Sequence, residues 1–216
     1  MVESQLRPNE VTDPNLLAAM RTLPRERFVP KEFQGLAYMD EGIEVFPAKD
    51  GAPGRSLLSP MVQARLIQLA EIEPQDKVLD VGCATGYSTA ILAQLAARVV
   101  GLEPEPELAK AAKATLASLK RANVEIVDGS LVAGWAAGGP YDVIVLEGSV
   151  PQVPEALFDQ LAEGGRLVAV VTQRPNMRQG KANFFVKVGG EASGAVHFDA
   201  GASPLPGFAP APAFAF

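Results

Sequence analysis

The sequence predicts an α/β protein: a doubly wound, mostly parallel sheet with helices on both faces and a C-terminal antiparallel strand pair. Three observations predict it. Between residues 59 and 171 short apolar runs alternate with segments of helical spacing, the order that builds right-handed crossovers. The runs are uninterrupted, as in Val143-Ile144-Val145-Leu146, which is how a strand covered on both faces reads. Beyond residue 171 the helical spacing stops, and 184–188 and 194–198 read as the closing antiparallel pair.

The elements follow in order. Asp13 before Pro14 is a cap followed by a first-turn proline, opening a helix to about Arg21. Pro24 to Pro30 breaks it. Residues 31–56 carry Gly35, Gly42, Pro47, Gly51, Pro53 and Gly54 without a sustained period. A loop region of that length, holding short strands, points to function. Ser59-Pro60 starts a helix to about Glu71, with apolar positions 62, 66, 69 and 70 near helical spacing. Strands are expected at 77–81, 98–102, 123–127, 141–146 and 166–171, and helices at 87–96, 106–121 and 154–162. The Pro-, Ala- and Phe-rich tail after Asp199 is expected to pack along the surface. One domain accounts for residues 1–216: an N-terminal helix with substrate-side loops (1–58), a ligand-binding α/β core (59–171), and strands with a tail (172–216).

A chain of 216 residues, 48% hydrophobic and 20% charged, has the balance of a globular protein that buries its own core. The net charge of −6 and a pI near 4.9 argue against a nucleic-acid partner, which needs clustered Lys and Arg. Cys83 is the single cysteine and His197 the single histidine, so no internal disulfide, multi-cysteine metal site or His-rich zinc site is expected. The uncharged runs 81–97 and 200–216 contain a glycine turn and four prolines respectively, and neither reads as a membrane span. Met1 to Leu6 lacks the pattern of a secretory signal. The expectation is a cytoplasmic monomer without metal.

The most informative stretch runs from Lys77 to Tyr87, Lys-Val-Leu-Asp-Val-Gly-Cys-Ala-Thr-Gly-Tyr. A strand carrying Asp80 enters a glycine turn, and a helix pattern follows. Gly82 and Gly86 allow backbone to pass close under a ligand, and the turn aims free N–H groups of a helix start towards it. Glu103, at the end of the next strand, follows Asp80 by 23 residues. That is near the roughly 20 at which a carboxylate grips a ribose. The spacing Gly82-x-x-x-Gly86 departs from the dinucleotide fingerprint, and Asp80 would repel a pyrophosphate. A ligand with an ammonium and a sulfonium and no phosphate, S-adenosyl-L-methionine, suits it better than a dinucleotide. A turn that binds nothing is the third reading. Candidate cofactor contacts are Asp80 on the methionine or turn side, Gly82, Cys83, Ala84, Thr85, Gly86 and Tyr87 in the turn, and Glu103 with Pro104 at the ribose. Asp128, Gly129 and Ser130 stand near the adenine rim, and Glu147 ends a fourth strand.

Several segments in order resemble the protein-L-isoaspartate O-methyltransferase family, over about residues 5–200. They are Gln5-Leu6-Arg7, Val11-Thr12-Asp13, Pro24 to Pro30, Ala37 to Asp40, the motif Val78 to Tyr87, Asp128-Gly129, Tyr141-Asp142, Pro151 to Pro154, and Gln160 to Val168. The resemblance implies a Rossmann-like methyltransferase that uses S-adenosyl-L-methionine to methylate the free carboxylate of isoaspartyl residues in damaged protein. Three places depart from the family pattern. Its Thr-Ile-Ser-Gln-Pro stands here as Ser56-Leu57-Leu58-Ser59-Pro60. Residues 47–56 are longer and more polar, and Thr-Ala-Ala is replaced by Glu147-Gly148-Ser149. Ser59 is therefore the candidate catalytic hydroxyl, against a plain helix cap. A different methyl acceptor, or a catalytically silent protein of the same fold, stand as alternatives. Cys83, Trp135 and His197 read as packing residues, Tyr87 as site wall or core, and Arg25 and Arg27 as helix-end salt bridges ahead of attracting a substrate carboxylate.

Overall fold

A short antiparallel hairpin, β1 (Ile43–Phe46) with β2 (Arg55–Leu57), precedes a seven-stranded sheet in the computed structural model, which describes residues 1–49, 53–174 and 177–208. Gly51 and the end of the tail, 209–216, lie outside the described residues. The sheet strands are β3 (Lys77–Val81), β4 (Arg98–Leu102), β5 (Val124–Val127), β6 (Tyr141–Val150), β7 (Leu161–Val171), β8 (Gln179–Val188) and β9 (Glu191–Gly201). Their order is β5-β4-β3-β6-β7-β8-β9. The first five are parallel, and β8 and β9 are antiparallel. The chain leaves β3 towards one edge and returns on the other side to β6. The switch point, where such sheets bind ligands, therefore lies beyond the carboxyl ends of β3 and β6.

Side chains alternate between the faces. Val78, Val99, Val143, Val145, Val168 and Val170 pack under α1 (Pro14–Thr22), α2 (Pro60–Leu69), α3 (Tyr87–Leu95) and α4 (Pro106–Ser118). Leu79, Val81, Val100, Leu102, Ile144 and Leu146 face the other way, against Leu131, Tyr141 and Leu157 of α5 (Glu155–Asp159). Each of α1, α2 and α4 starts with a proline at its first position, where the missing N–H costs nothing. Asp13 caps α1 by accepting from Asn15 N at 2.8 Å and Leu16 N at 3.2 Å.

Three expectations about extent are corrected. The helix expected over 154–162 ends at Asp159, and Leu161 already belongs to β7. The reason is Gln160, whose amide donates to Ala133 O and Ala156 O and whose carbonyl accepts from Trp135 N, anchoring the chain where the helix would continue. The helix expected to 121 stops at Ser118, and Lys120 turns the chain with φ 55°. The tail does not lie on the surface throughout: Leu205 and Phe208 are buried in the second core. A five-residue α5 covers too little of that face, and the tail completes the cover. No helix among the described residues is long and apolar enough to cross a membrane.

The two helix caps should differ in strength. Ser59 accepts from Val62 N at 3.4 Å, a weaker bond than either made by Asp13. Asp13→Ala is expected to lower stability by about 1 kcal/mol, and Ser59→Ala by about 0.5 kcal/mol, in urea unfolding.

Candidate functional site

The turn after β3 is held in left-handed backbone at Gly82 (φ 83°), Ala84 (φ 49°) and Gly86 (φ 90°). Gly82 N and Cys83 N donate to Leu102 O, which fastens the turn to β4. The two glycines serve different ends. A Cβ at Gly86 would meet Ala112 Cβ at 3.1 Å, so this glycine lets α4 approach. A Cβ at Gly82 would stand 2.8 Å from Leu205 Cδ2, 3.0 Å from Arg55 Nη2 and 3.6 Å from Leu131 Cδ1. The space expected above Gly82 for a ligand is lined by the chain's own side chains.

Leu205 arrives there through the tail. Ser149 N donates to Ser203 O and Leu205 N donates to Ser149 O, each at 2.9 Å, so the tail pairs with the tip of β6. A Cβ at Gly148 would meet Ser203 O at 2.7 Å and Leu205 Cδ2 at 2.8 Å. Leu205 is thus seated between Gly82 and Gly148, across the switch point.

Arg55 arrives from the hairpin. Its Nη1 lies 2.8 Å from Glu103 Oε1, with the two side chains 4% and 0% exposed, and its Nη2 donates to Gly82 O at 2.7 Å. Glu103 Oε1 also accepts from Glu105 N at 3.2 Å, and Oε2 accepts from Ala84 N at 2.7 Å. Glu103, expected to hold ribose hydroxyls, therefore already accepts three hydrogen bonds from within the protein. Burial pushes its carboxyl upward, while Arg55 and the two backbone N–H groups pull it back towards the ionised form. Beside the pair is a pocket of about 330 Å³, walled by Phe46, Lys49, Arg55, Glu103, Glu105 and Pro206 and touching Pro104.

Asp80 lies beneath the turn. Its Oδ2 accepts from Ser88 Oγ at 2.8 Å and Thr89 Oγ1 at 2.6 Å, and its Oδ1 is buried without a partner. Burial pushes this carboxyl up to about 7. Glu147, at the tip of β6, is also buried and accepts from Gln63 Nε2 at 2.9 Å; burial, then the charge of Asp80, raises it too. Arg25 is fully buried, over the Tyr87 ring at 4.5 Å, and donates to Ala37 O and Leu58 O. This corrects the helix-end salt bridge expected for Arg25; Arg27 instead donates to Ser118 Oγ.

The remaining candidates separate. Cys83 is buried against the Gly101 backbone, and Tyr87 packs edge-on to Phe28, so both serve the core here. Thr85 Oγ1 donates to Phe28 O at 2.6 Å and ties the turn to the N-terminal segment. Asp128 and Ser130 are exposed at the tip of β5, Gly129 packs beside Trp135, and Leu131, next in the chain, turns inward to Gly82. Ser59 caps α2 and Leu58 is buried. Sequence reasoning missed Arg55, Gln63 and Leu205. For Arg55 a signal existed: a basic residue in a long polar link that otherwise resembles a short glycine-containing one.

The donor set itself fits S-adenosyl-L-methionine. Glu103 can accept two hydroxyl hydrogens, the orphaned Oδ1 of Asp80 can accept from an ammonium, and the backbone at Gly82 carries no Cβ.

The buried carboxyls dictate an inverted pH dependence. A carboxyl whose native value lies above its unfolded value keeps a proton that the unfolded chain has released, so stability falls as pH rises between the two. For Asp80 that window runs from about 3.8 to about 7. Urea unfolding between pH 5 and 8 is expected to show a downward slope, of which Asp80→Asn removes up to about 1.4 kcal/mol per pH unit. An unchanged slope in Asp80→Asn would assign the titration elsewhere.

Comparison with known proteins agrees with this architecture. The family model described as Protein-L-isoaspartate(D-aspartate) O-methyltransferase matches residues 1–197. A protein-L-isoaspartate O-methyltransferase of Methanoculleus marisnigri is 39% identical over 174 residues, covering 81% of this chain and 76% of that protein. One from Protochlamydia amoebophila is 41% identical over 171 residues, 79% of each. A solved structure of a protein-L-isoaspartate O-methyltransferase superposes with TM-score 0.80 at 26% identity, covering 97% of this chain and 67% of that one. A Plasmodium falciparum structure of the same designation, in complex with S-adenosyl-L-homocysteine, shares the fold at 21% identity and TM-score 0.75, covering 94% and 95%. A family model over residues 1–197 and relatives about 40% identical over four fifths of the chain lead to one conclusion: this chain is a member of the protein-L-isoaspartate O-methyltransferase family.

Proposed function

We propose that this protein transfers the methyl group of S-adenosyl-L-methionine to the free carboxylate of L-isoaspartyl residues in damaged proteins and peptides. The observation that carries it is Glu103 at the tip of β4, beside the left-handed Gly82 turn at the switch point of the family's sheet. Glu103 and Pro104 would hold the ribose side, the 82–87 turn and Asp80 the methionine side, and the 128–130 turn the adenine rim. When bound, the cofactor supplies an electrophilic methyl on a sulfonium.

The acceptor needs no general base, since a carboxylate is ionised at neutral pH. The chain's task is to align the acceptor with the methyl and exclude water. Glu147, which as an anion would repel the acceptor, is bonded to Gln63, and burial favours its neutral form. That removes the objection its charge would raise. The family pattern's hydroxyl is Leu58 here, and the oxygen of Ser59 accepts from Val62 N as the cap of α2, which supports a structural role for Ser59. The reading includes one domain acting as a monomer in the cytoplasm, where the lone buried Cys83 has no disulfide to form.

A second reading, a member of the fold that has lost turnover, is favoured by one observation: Arg55 on the carboxylate that the ribose requires. Labelled methyl transfer to an isoaspartyl hexapeptide distinguishes the two. The expected outcome is incorporation into a base-labile ester, with Ser59→Ala retaining at least half of the rate. Cofactor binding without transfer would favour the second reading.

A further inference from the structure

The proposed function uses Glu103 as a ribose ligand, yet the structure gives that carboxylate to Arg55. The replacement is close in kind. A ribose offers two hydroxyl donors; Arg55 offers Nη1 to Glu103 Oε1 at 2.8 Å and Nη2 to Gly82 O at 2.7 Å. It adds what a ribose lacks, a positive charge, and charge-assisted hydrogen bonds are roughly twice as strong as neutral ones. Ligand entry therefore exchanges a buried ion pair for neutral contacts, and the affinity of the site depends on that exchange.

The fold supplies a means for the exchange. Arg55 is carried by β1 and β2, a two-stranded sheet separate from the main one. Such a hairpin is marginally stable alone and has no strand ladder to the main sheet to break when it shifts. The pocket of about 330 Å³ adjoining Arg55 has Phe46 and Lys49 on its hairpin side and Glu103, Pro104 and Glu105 on its core side, so a shift of the hairpin away from Glu103 would enlarge it. Once Arg55 has left, Glu103 keeps its bonds from Ala84 N and Glu105 N, which hold a carboxylate in place for an incoming diol.

We infer that Arg55 sets the cofactor affinity of this protein by occupying the ribose position on Glu103, so that S-adenosyl-L-methionine binds only in competition with its guanidinium. This rests on the proposed function, since it takes the cofactor from that reading. Arg55 is here an affinity-setting residue; it touches no reacting atom.

The test is calorimetric titration of the full-length protein with S-adenosyl-L-homocysteine, comparing wild type with Arg55→Met. Occupancy by Arg55 requires the dissociation constant to fall at least tenfold in the variant. Equal or weaker binding by a folded variant would overturn the inference while leaving the cofactor assignment standing. If neither protein binds at millimolar ligand with the fold intact, the functional reading itself fails. Should the variant not fold, nitrogen-15 arginine NMR of the wild type decides. The Arg55 guanidinium N–H signals, protected from exchange in the free protein, must become solvent-exchanging at saturating ligand. Persistence of the protected signals in the bound protein would overturn the role given to Arg55.

Discussion

The organisation of the site depends on the buried ion pair between Arg55 and Glu103. Removing two such ions from water costs several kcal/mol each, and only close geometry with further hydrogen bonds offsets it. Both conditions are met: the pair is nearly inaccessible, and Gly82 O, Ala84 N and Glu105 N satisfy groups that the pair leaves open. The pair ties the β1–β2 hairpin, which forms a sheet of its own, to the turn after β3 and the tip of β4. The ligand-facing side of the fold is closed by this contact and by Leu205 beside it.

Around the pair stands a buried cluster in which charge is not balanced by number. Asp80, Glu103 and Glu147 face Arg25 and Arg55, three acids against two guanidinium groups. Full ionisation would leave an excess negative charge in a dry region, so burial favours protonation of the acids without an arginine partner. Glu103 has one; Asp80 makes do with two hydroxyls and Glu147 with an amide. A cationic ligand entering this cluster would meet the missing charge, which is the electrostatic case for a sulfonium and an ammonium.

Much of the architecture was readable along the chain because its rules are local. Apolar runs marked β3, β4 and β6, and proline behind Asp13 and Ser59 marked two helix starts. The glycine turn, Glu103 and Asp80 were readable as neighbours at the strand tips because their spacing is short and their chemistry distinctive. What failed to show was long-range. Arg55 lies 48 residues from Glu103, and Gln63 lies 84 from Glu147. Nothing near either residue announces its partner. The tail read as surface because Pro and Ala alternate there, whereas the shortness of α5 draws Leu205 and Phe208 inward.

Periodicity, turn residues and ordered motifs, each confined to a few neighbouring residues, suffice for the sheet, its crossovers and the family, and they point to the carboxylates and glycines at the strand tips. The state of those groups is set by folding. Glu103 holds a guanidinium, Glu147 an amide, and Gly82 lies under a leucine from the tail. The physical reason is that burial and pairing are properties of the space between distant segments, and a carboxylate's role is set by what folding brings to it.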